Sequence, residues 1–269
     1  MIRRWLLPML LLAQPAFAGA LPQPDHIVIV IEENKSYAQI IGNRDAAYIN
    51  ALAKRGTLFT RSYGVTHPSQ PNYLALFAGT TFGISSNVCP LDLVGKNLGS
   101  SLLDAKRSFA LYAGALPRAG ADDCIYGAYY RKHNPAADWR ELAAYNLPFG
   151  DFPQDFSKLP TVALVVPDML NDMHDGSIAQ GDGWLQQNIE PYAKWAMEHN
   201  SLLIVTWDED DGSADNRVAT LFVGAMVKRG KSAQRINHYN LLRTVEDMYR
   251  LPRLGESATV PPVKGVWRK

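Results

Sequence analysis

The chain has 269 residues, 47% hydrophobic and 20% charged, an ordinary globular composition with room for one large core or a core carrying an insertion. Its 27 basic and 26 acidic side chains leave a formal net charge of +1, so no global basic field marks it as a nucleic-acid binder.

Residues 1–18 read as a signal peptide. Arg3 and Arg4 form the basic region, Trp5 to Leu12 the apolar stretch, and Ala16-Phe17-Ala18 the small-x-small cleavage site. The apolar stretch is too short to span a bilayer, so a periplasmic or secreted protein is expected, with no stable membrane insertion after cleavage. Export places Cys89 and Cys124 in an oxidising compartment, where an even pair is expected to bridge.

The remaining chain, 19–269, reads as a single domain. His26 to Ile31 is a continuous β-branched run, the mark of a parallel strand buried on both faces. Helical periodicity follows over 44–55, with Gly56 as C-cap, then a strand over 57–62 and a helix over 72–78. Further strands are predicted at 109–112, 161–166, 202–207 and 219–223, with helices at 184–199 and 239–249. The tail after Pro252 is expected to be loosely held. Strands alternating with helices indicate an α/β fold with a mostly parallel central sheet and helices on both faces. Residues 84–158 are rich in Gly, Pro, Tyr and Asn, poor in periodicity, and hold both cysteines; they read as a loop-rich insertion near the site.

Chemistry concentrates where predicted strands end. The first ends in Glu32-Glu33-Asn34 and the fourth in Asp208-Glu209. In a parallel sheet both open into one crevice, and carboxylates with an amide oxygen are hard ligands suited to Mg, Ca or Mn. Ser69, in His67-Pro68-Ser69-Gln70-Pro71-Asn72-Tyr73, stands just before a predicted helix, where it can cap the helix or act as a metal-activated nucleophile. Asn72 is a candidate donor to a substrate oxygen. The third strong strand runs into Asp168, Asp172 and His174, mixed ligands or acid–base groups. Lys132 and His133 form part of a basic cluster within the insertion that could clamp a phosphate. His238 opens the last helix.

Five stretches together carry a resemblance: Glu32-Glu33-Asn34-Lys35-Ser36-Tyr37, the segment around Ser69, Asn171-Asp172-Met173-His174-Asp175, Thr206-Trp207-Asp208-Glu209, and His238-Tyr239-Asn240-Leu241-Leu242-Arg243-Thr244. In this order the chain resembles the secreted phosphoesterase family that joins bacterial and fungal acid phosphatases with bacterial phospholipases C, within the alkaline-phosphatase-like superfamily. The resemblance implies a phosphoric ester hydrolase of acid phosphatase type, working through a phosphoserine on Ser69. It implies a divalent metal ion (Mg, Ca, Mn or Zn) held by Glu33, Asn34, Ser69, Asp208 and Glu209. A one-residue shift on the strand would exchange Glu33 with Glu32 on the site face, and Glu33 is the residue taken here. His67 and His174 would serve in proton transfer, His133, Lys132 and Asn72 in substrate binding. Asp168, Asp172 and His238 sit near positions that hold a second metal in the wider superfamily. Three alternatives stay open: a phospholipase C-type phosphodiesterase, a phosphoinositide phosphatase, and a non-catalytic metal- or phosphate-binding module. The sequence leaves the physiological ester, the number of metals and the oligomeric state undetermined.

Overall fold

A computed structural model describes residues 21–268 apart from position 214. The expected signal peptide therefore lies outside the described residues. The strands are β1 (His26–Glu32), β2 (Thr57–Tyr63), β3 (Phe109–Ala113), β4 (Ile125–Tyr126), β5 (Tyr129–Tyr130), β6 (Asn146–Pro148), β7 (Val162–Val166), β8 (Ser201–Trp207), β9 (Arg217–Val223), β10 (Gly230–Ser232) and β11 (Ile236–Asn237). The helices are α1 (Tyr37–Ile40), α2 (Ala47–Ala53), α3 (Ser69–Ala78), α4 (Leu98–Asp104), α5 (Ile178–Asn188), α6 (Glu190–Ala196) and α7 (His238–Tyr249).

Among the described residues nine strands form one sheet, in the order β10-β2-β9-β8-β1-β7-β3-β6, with β11 beside β2. Every pairing is parallel except those of β9, which runs against both β2 and β8. Segment 84–158 supplies two of these strands, β3 and β6, as well as α4 and the small β4–β5 hairpin.

The alternation of β1 divides the core. Ile27, Ile29 and Ile31 pack with Leu74 and Phe77 of α3, Leu102 of α4 and Leu242 and Val245 of α7. Val28 and Val30 pack on the other face, with Ile49 and Leu52 of α2, Leu185 of α5 and Tyr192 of α6. With both faces covered, the central strands are apolar throughout.

The structure departs from the sequence reading in four places. The helix expected over 72–78 starts three residues earlier, at Ser69, because Pro71 is tolerated in a first helical turn. The helix expected over 44–55 is a 3₁₀ turn, Arg44–Ala46, followed by α2. The helix expected over 184–199 is two helices. The first starts at Ile178, with the Ser177 hydroxyl accepting from the Gln180 amide, and the second starts at Glu190, with Pro191 in its first turn, where a missing N–H does not continue the first. The tail is packed rather than loose: Val263 and Val266 are buried, and the Arg243 guanidinium donates to the carbonyls of Ser257 and Val260.

Two features fix the ends of α3 and the insertion. Gly79 caps α3 with φ +71°, and a Cβ there would come within 2.0 Å of the Leu254 carbonyl oxygen, so only glycine fits. Cys89 and Cys124 are bonded across 35 residues, with their Cα atoms 5.8 Å apart. Closing a loop of this length stabilises the fold by roughly 4 kcal/mol in the chain-entropy account. The double substitution Cys89→Ser/Cys124→Ser should lower the melting temperature by roughly 8–16 °C. Calorimetry of the oxidised parent and the variant measures this, and an unchanged transition would show that the bridge does not hold the fold.

Candidate active site

The register of β1 on β8 pairs Glu32 with Trp207, so the next residues of both strands, Glu33 and Asp208, emerge side by side at the C-terminal edge of the sheet. The Asp208 amide donates to the Glu32 carbonyl (3.0 Å), and the Asn34 amide donates to Asp208 Oδ1 (3.3 Å). Asn34 takes up φ +51°, a left-handed conformation that asparagine tolerates better than most residues. The neighbour on the other side, β7, leads into the loop 167–176, and the Glu33 amide donates to the Asp172 carbonyl (2.8 Å). Three adjacent strand ends thus meet in one crevice, the ordinary ligand position of an open α/β sheet.

α3 points its N-terminus into that crevice. Ser69 Oγ lies 3.0 Å from Glu33 Oε2 and 3.2 Å from Glu209 Oε1, and the serine is buried. One turn further, at i+4 on the same helical face, the Tyr73 hydroxyl donates to Glu33 Oε1. Glu33 thereby sits between two groups of one helix. Glu32 takes the opposite face: it is buried with neither carboxylate oxygen hydrogen-bonded among the described residues.

Histidines close the ring. His133 stacks on Tyr73, with Nε2 3.2 Å from Glu33 Oε1 and Nδ1 3.3 Å from Asp172 Oδ2. These separations suit ion pairs, yet complete burial pushes His133 down to about 3 against the pull of Glu33. Burial also raises Glu33 and Asp172 to about 7. The desolvation cost outweighs the attraction, so His133 is best described as a neutral ring among carboxyl groups. His67 is held with Nδ1 2.6 Å from Glu209 Oε2 and Nε2 3.3 Å from Asp210 Oδ1. His174 has Nδ1 2.7 Å from Asp175 Oδ1 and Nε2 3.0 Å from Lys132 Nζ. Its loop is strained: Met173, fully buried, holds φ +76°.

The residues present fit a hard divalent cation. Burial, reinforced by Glu33 and Glu209, pushes the Asp208 carboxyl well above its ordinary range, and burial raises Glu209 in the same direction. Asp208 Oδ2 and Asp172 Oδ2 are buried without a hydrogen-bond donor. The Asn34 side-chain amide reaches 3.3 Å from Glu33 Oε2 and 3.1 Å from Glu209 Oε1, where its nitrogen would donate to them or its oxygen would join them around a cation. Buried acids in such numbers call for a positive charge at their centre. A second donor set overlaps the first: Glu33, His133 and His174 each offer an atom within 4.8 Å of the others.

Not every residue singled out in the sequence turns toward this centre. Asn72 spends its amide on the loop that carries His67. Its oxygen accepts from the amides of Val65 and Thr66, and its nitrogen donates to the carbonyls of Thr66 and Pro68, with Glu209 Oε2 at 3.4 Å. Asp168 likewise accepts from the backbone of Leu170 and Asn171 and from the Asn171 amide side chain. His238 Nε2 faces the Asp208 carbonyl, and burial lowers its pKa to about 4. The trio Asp168, Asp172 and His238 is therefore not gathered around one point; the mixed nitrogen–oxygen group is Glu33, His133 and His174. Tyr73 and Asp210 were given no role from the sequence. The i+4 spacing of Tyr73 from Ser69 was the available signal.

The sequence model of the Phosphoesterase family matches residues 43–252. The chain is 49% identical over 254 residues to the phosphatidylinositol-3-phosphatase of Mycobacterium tuberculosis, covering 93% of this chain and 85% of that protein. It is 30% identical over 226 residues to an acid phosphatase of Aspergillus fumigatus, covering 76% of this chain and 51% of the fungal protein, so it spans about half the length of that relative. Among solved structures, a protein in the alkaline phosphatase superfamily from Vibrio parahaemolyticus superposes with a TM-score of 0.60 at 14% identity, over 91% of this chain and 73% of that one. Murine ectonucleotide pyrophosphatase / phosphodiesterase 5 does so with a TM-score of 0.56 at 11% identity, over 86% and 96%. At such identities the structural likeness is one of fold.

Tyr73→Phe removes a donor from a fully buried carboxyl group while preserving the ring stack on His133. It should cost about 1–3 kcal/mol of stability. Urea unfolding of the EDTA-treated protein measures this; equal midpoints would show that the Glu33 contact contributes nothing.

Proposed function

From the premise that this chain belongs to the phosphoesterase family and is a phosphoric ester hydrolase, we propose that it is an exported, metal-dependent phosphomonoesterase with Ser69 as its nucleophile. The observation that carries the reading is the placement of Ser69 Oγ at the start of α3, within hydrogen-bond reach of both Glu33 and Glu209. A serine that merely capped its helix would turn its oxygen back to the helix amides. This one turns to carboxylates supplied by two other elements.

A divalent ion bound by Glu33, Asn34, Asp208 and Glu209 would acidify the serine hydroxyl and screen the phosphate charge. The chain's own groups do the rest. Ser69 Oγ attacks phosphorus opposite the leaving oxygen, and its proton passes to Glu33 Oε2 or Glu209 Oε1, which already face it. The phosphorus–oxygen bond to the alcohol breaks as the new bond to Ser69 forms. The leaving oxygen takes a proton from His174 or His67. Water then attacks the phosphoserine, giving its proton to that histidine; the Ser69 Oγ–phosphorus bond breaks, phosphate leaves, and Ser69 Oγ recovers its proton from the carboxyl group that took it. Lys132, 3.0 Å from His174, supplies positive charge to the phosphoryl oxygens, and the N-terminus of α3 adds its dipole.

The 49% identity to a phosphatidylinositol-3-phosphatase, over nearly the whole chain, favours a second and narrower reading. The ester would then be a phosphomonoester on the head group of a lipid. The bonded cysteine pair supports export, and among the described residues no helix is long and apolar enough to cross a membrane.

Hydrolysis of p-nitrophenyl phosphate by residues 19–269 tests the mechanism. Ser69→Ala should lower kcat by more than about a thousandfold while divalent-ion binding, measured by titration calorimetry, persists. Full activity in that variant removes Ser69 from the reaction. EDTA should abolish turnover and a divalent ion should restore it; activity indifferent to EDTA would reject metal dependence.

A further inference from the structure

We propose that an apolar rim around the mouth of the site, formed by Val88, Ile125, Tyr126 and Leu170, docks the enzyme onto a lipid bilayer and presents Ser69 to a head group in that surface. The inference rests on the lipid-phosphate reading above and adds to it the way the substrate is reached.

Large hydrophobic side chains are well buried across most of this molecule. Among the described residues only six are more than a third exposed, and these four belong to segments tied directly to the site: Ile125 at 59%, Tyr126 at 56%, Leu170 at 47% and Val88 at 39%. The Val88 amide donates to Gln70 Oε1 (2.6 Å), beside Ser69. The disulfide joins the residue after Val88 to the residue before Ile125. Ile125 and Tyr126 form one strand of the β4–β5 hairpin, whose chain continues through Arg131 into Lys132 and His133. The Met169 amide donates to the carbonyl of Ala128 in the hairpin turn (3.0 Å), which fastens the Leu170 loop to the hairpin. Three stretches distant in sequence, each bonded to a segment that carries a site residue or to one another, therefore hold these exposed apolar residues.

The rim is stiff. Buried Arg131 pairs with Asp138 (3.2 Å) and donates to the Asp122 carbonyl (2.9 Å), while its amide donates to the Cys124 carbonyl (3.0 Å). A surface already ordered loses little entropy on docking. Its composition suits a bilayer interface, with aliphatic tips beside a tyrosine that has an apolar ring and a polar end. Lys132, which follows the hairpin and sits over the Tyr130 ring at 5.9 Å, is the cation for an anionic head group. A nearby acid, Asp123, is paired with Arg118. A protein partner seated on this rim would cover the mouth, whereas a bilayer brings the phosphate to it.

The double variant Ile125→Ser/Leu170→Ser tests the proposal, since both side chains are exposed and neither touches the reacting groups. Three substrates are compared at matched metal: phosphatidylinositol 3-phosphate in phosphatidylcholine vesicles, its dibutanoyl analogue dissolved as monomers, and p-nitrophenyl phosphate. The variant should lose about tenfold or more of kcat/KM on vesicles and stay within about twofold of the parent on both dissolved substrates. Equal losses on vesicles and monomers, or no loss on vesicles, would overturn the docking role. Co-sedimentation with plain phosphatidylcholine vesicles separates docking from substrate choice. If the parent cleaves p-nitrophenyl phosphate but neither lipid, the lipid-phosphate reading fails. Docking then stands if the parent sediments with vesicles and the variant does not, and falls if the parent stays in solution.

Discussion

Buried carboxyl groups crowd at the C-terminal edge of the sheet, and the rest of the site is arranged around their mutual repulsion. Glu33 and Asp208 leave adjacent parallel strands in register, Glu209 follows, and Asp172 arrives from the loop after β7. Each carboxyl is held above its ordinary pKa, burial being the first cause. Such a cluster is tolerable only if protonated, hydrogen-bonded or gathered around a cation. Tyr73, Ser69 and His67 meet part of this demand. The unpartnered oxygens of Asp208 and Asp172 leave a remainder that a divalent ion suits.

The same demand gives Ser69 its chemical character. A serine at a helix start usually serves its own helix, but here the sheet places two carboxyl groups within reach of its hydroxyl. The frame that makes this possible is rigid. β1 is buried on both faces, α3 is closed by a glycine that no other residue can replace without a clash, and the 84–158 segment is bonded back on itself through the disulfide. That segment brings Lys132 beside His174 and His133 beside Glu33, and extends the sheet with β3 and β6.

Legibility differed from residue to residue for physical reasons. Strand parity sends Glu32 and Glu33 to opposite faces, but parity by itself does not say which of them faces the crevice. Asp208 and Glu209 were legible because an apolar strand has to end before a run of acids begins. Asn72 and Asp168 had the right chemistry in the right segments, yet both spend their side chains on their own loops. Short polar side chains readily bond nearby backbone, and no motif reveals which of them will. The union of Glu33, His133 and His174 could not be read at all, since the three come from separate segments.

The sequence by itself determined the α/β class, six of the nine strands of the central sheet and the family, because periodic hydrophobicity and ordered short motifs are local properties of the chain. It also marked Ser69 and the acids at the strand ends as chemically significant. Only the tertiary structure decided that β9 runs against its neighbours, that Tyr73 supports Glu33, and that His133 sits neutral between two carboxyl groups. These depend on register, burial and distances between segments far apart in sequence, and a one-dimensional pattern carries none of those quantities.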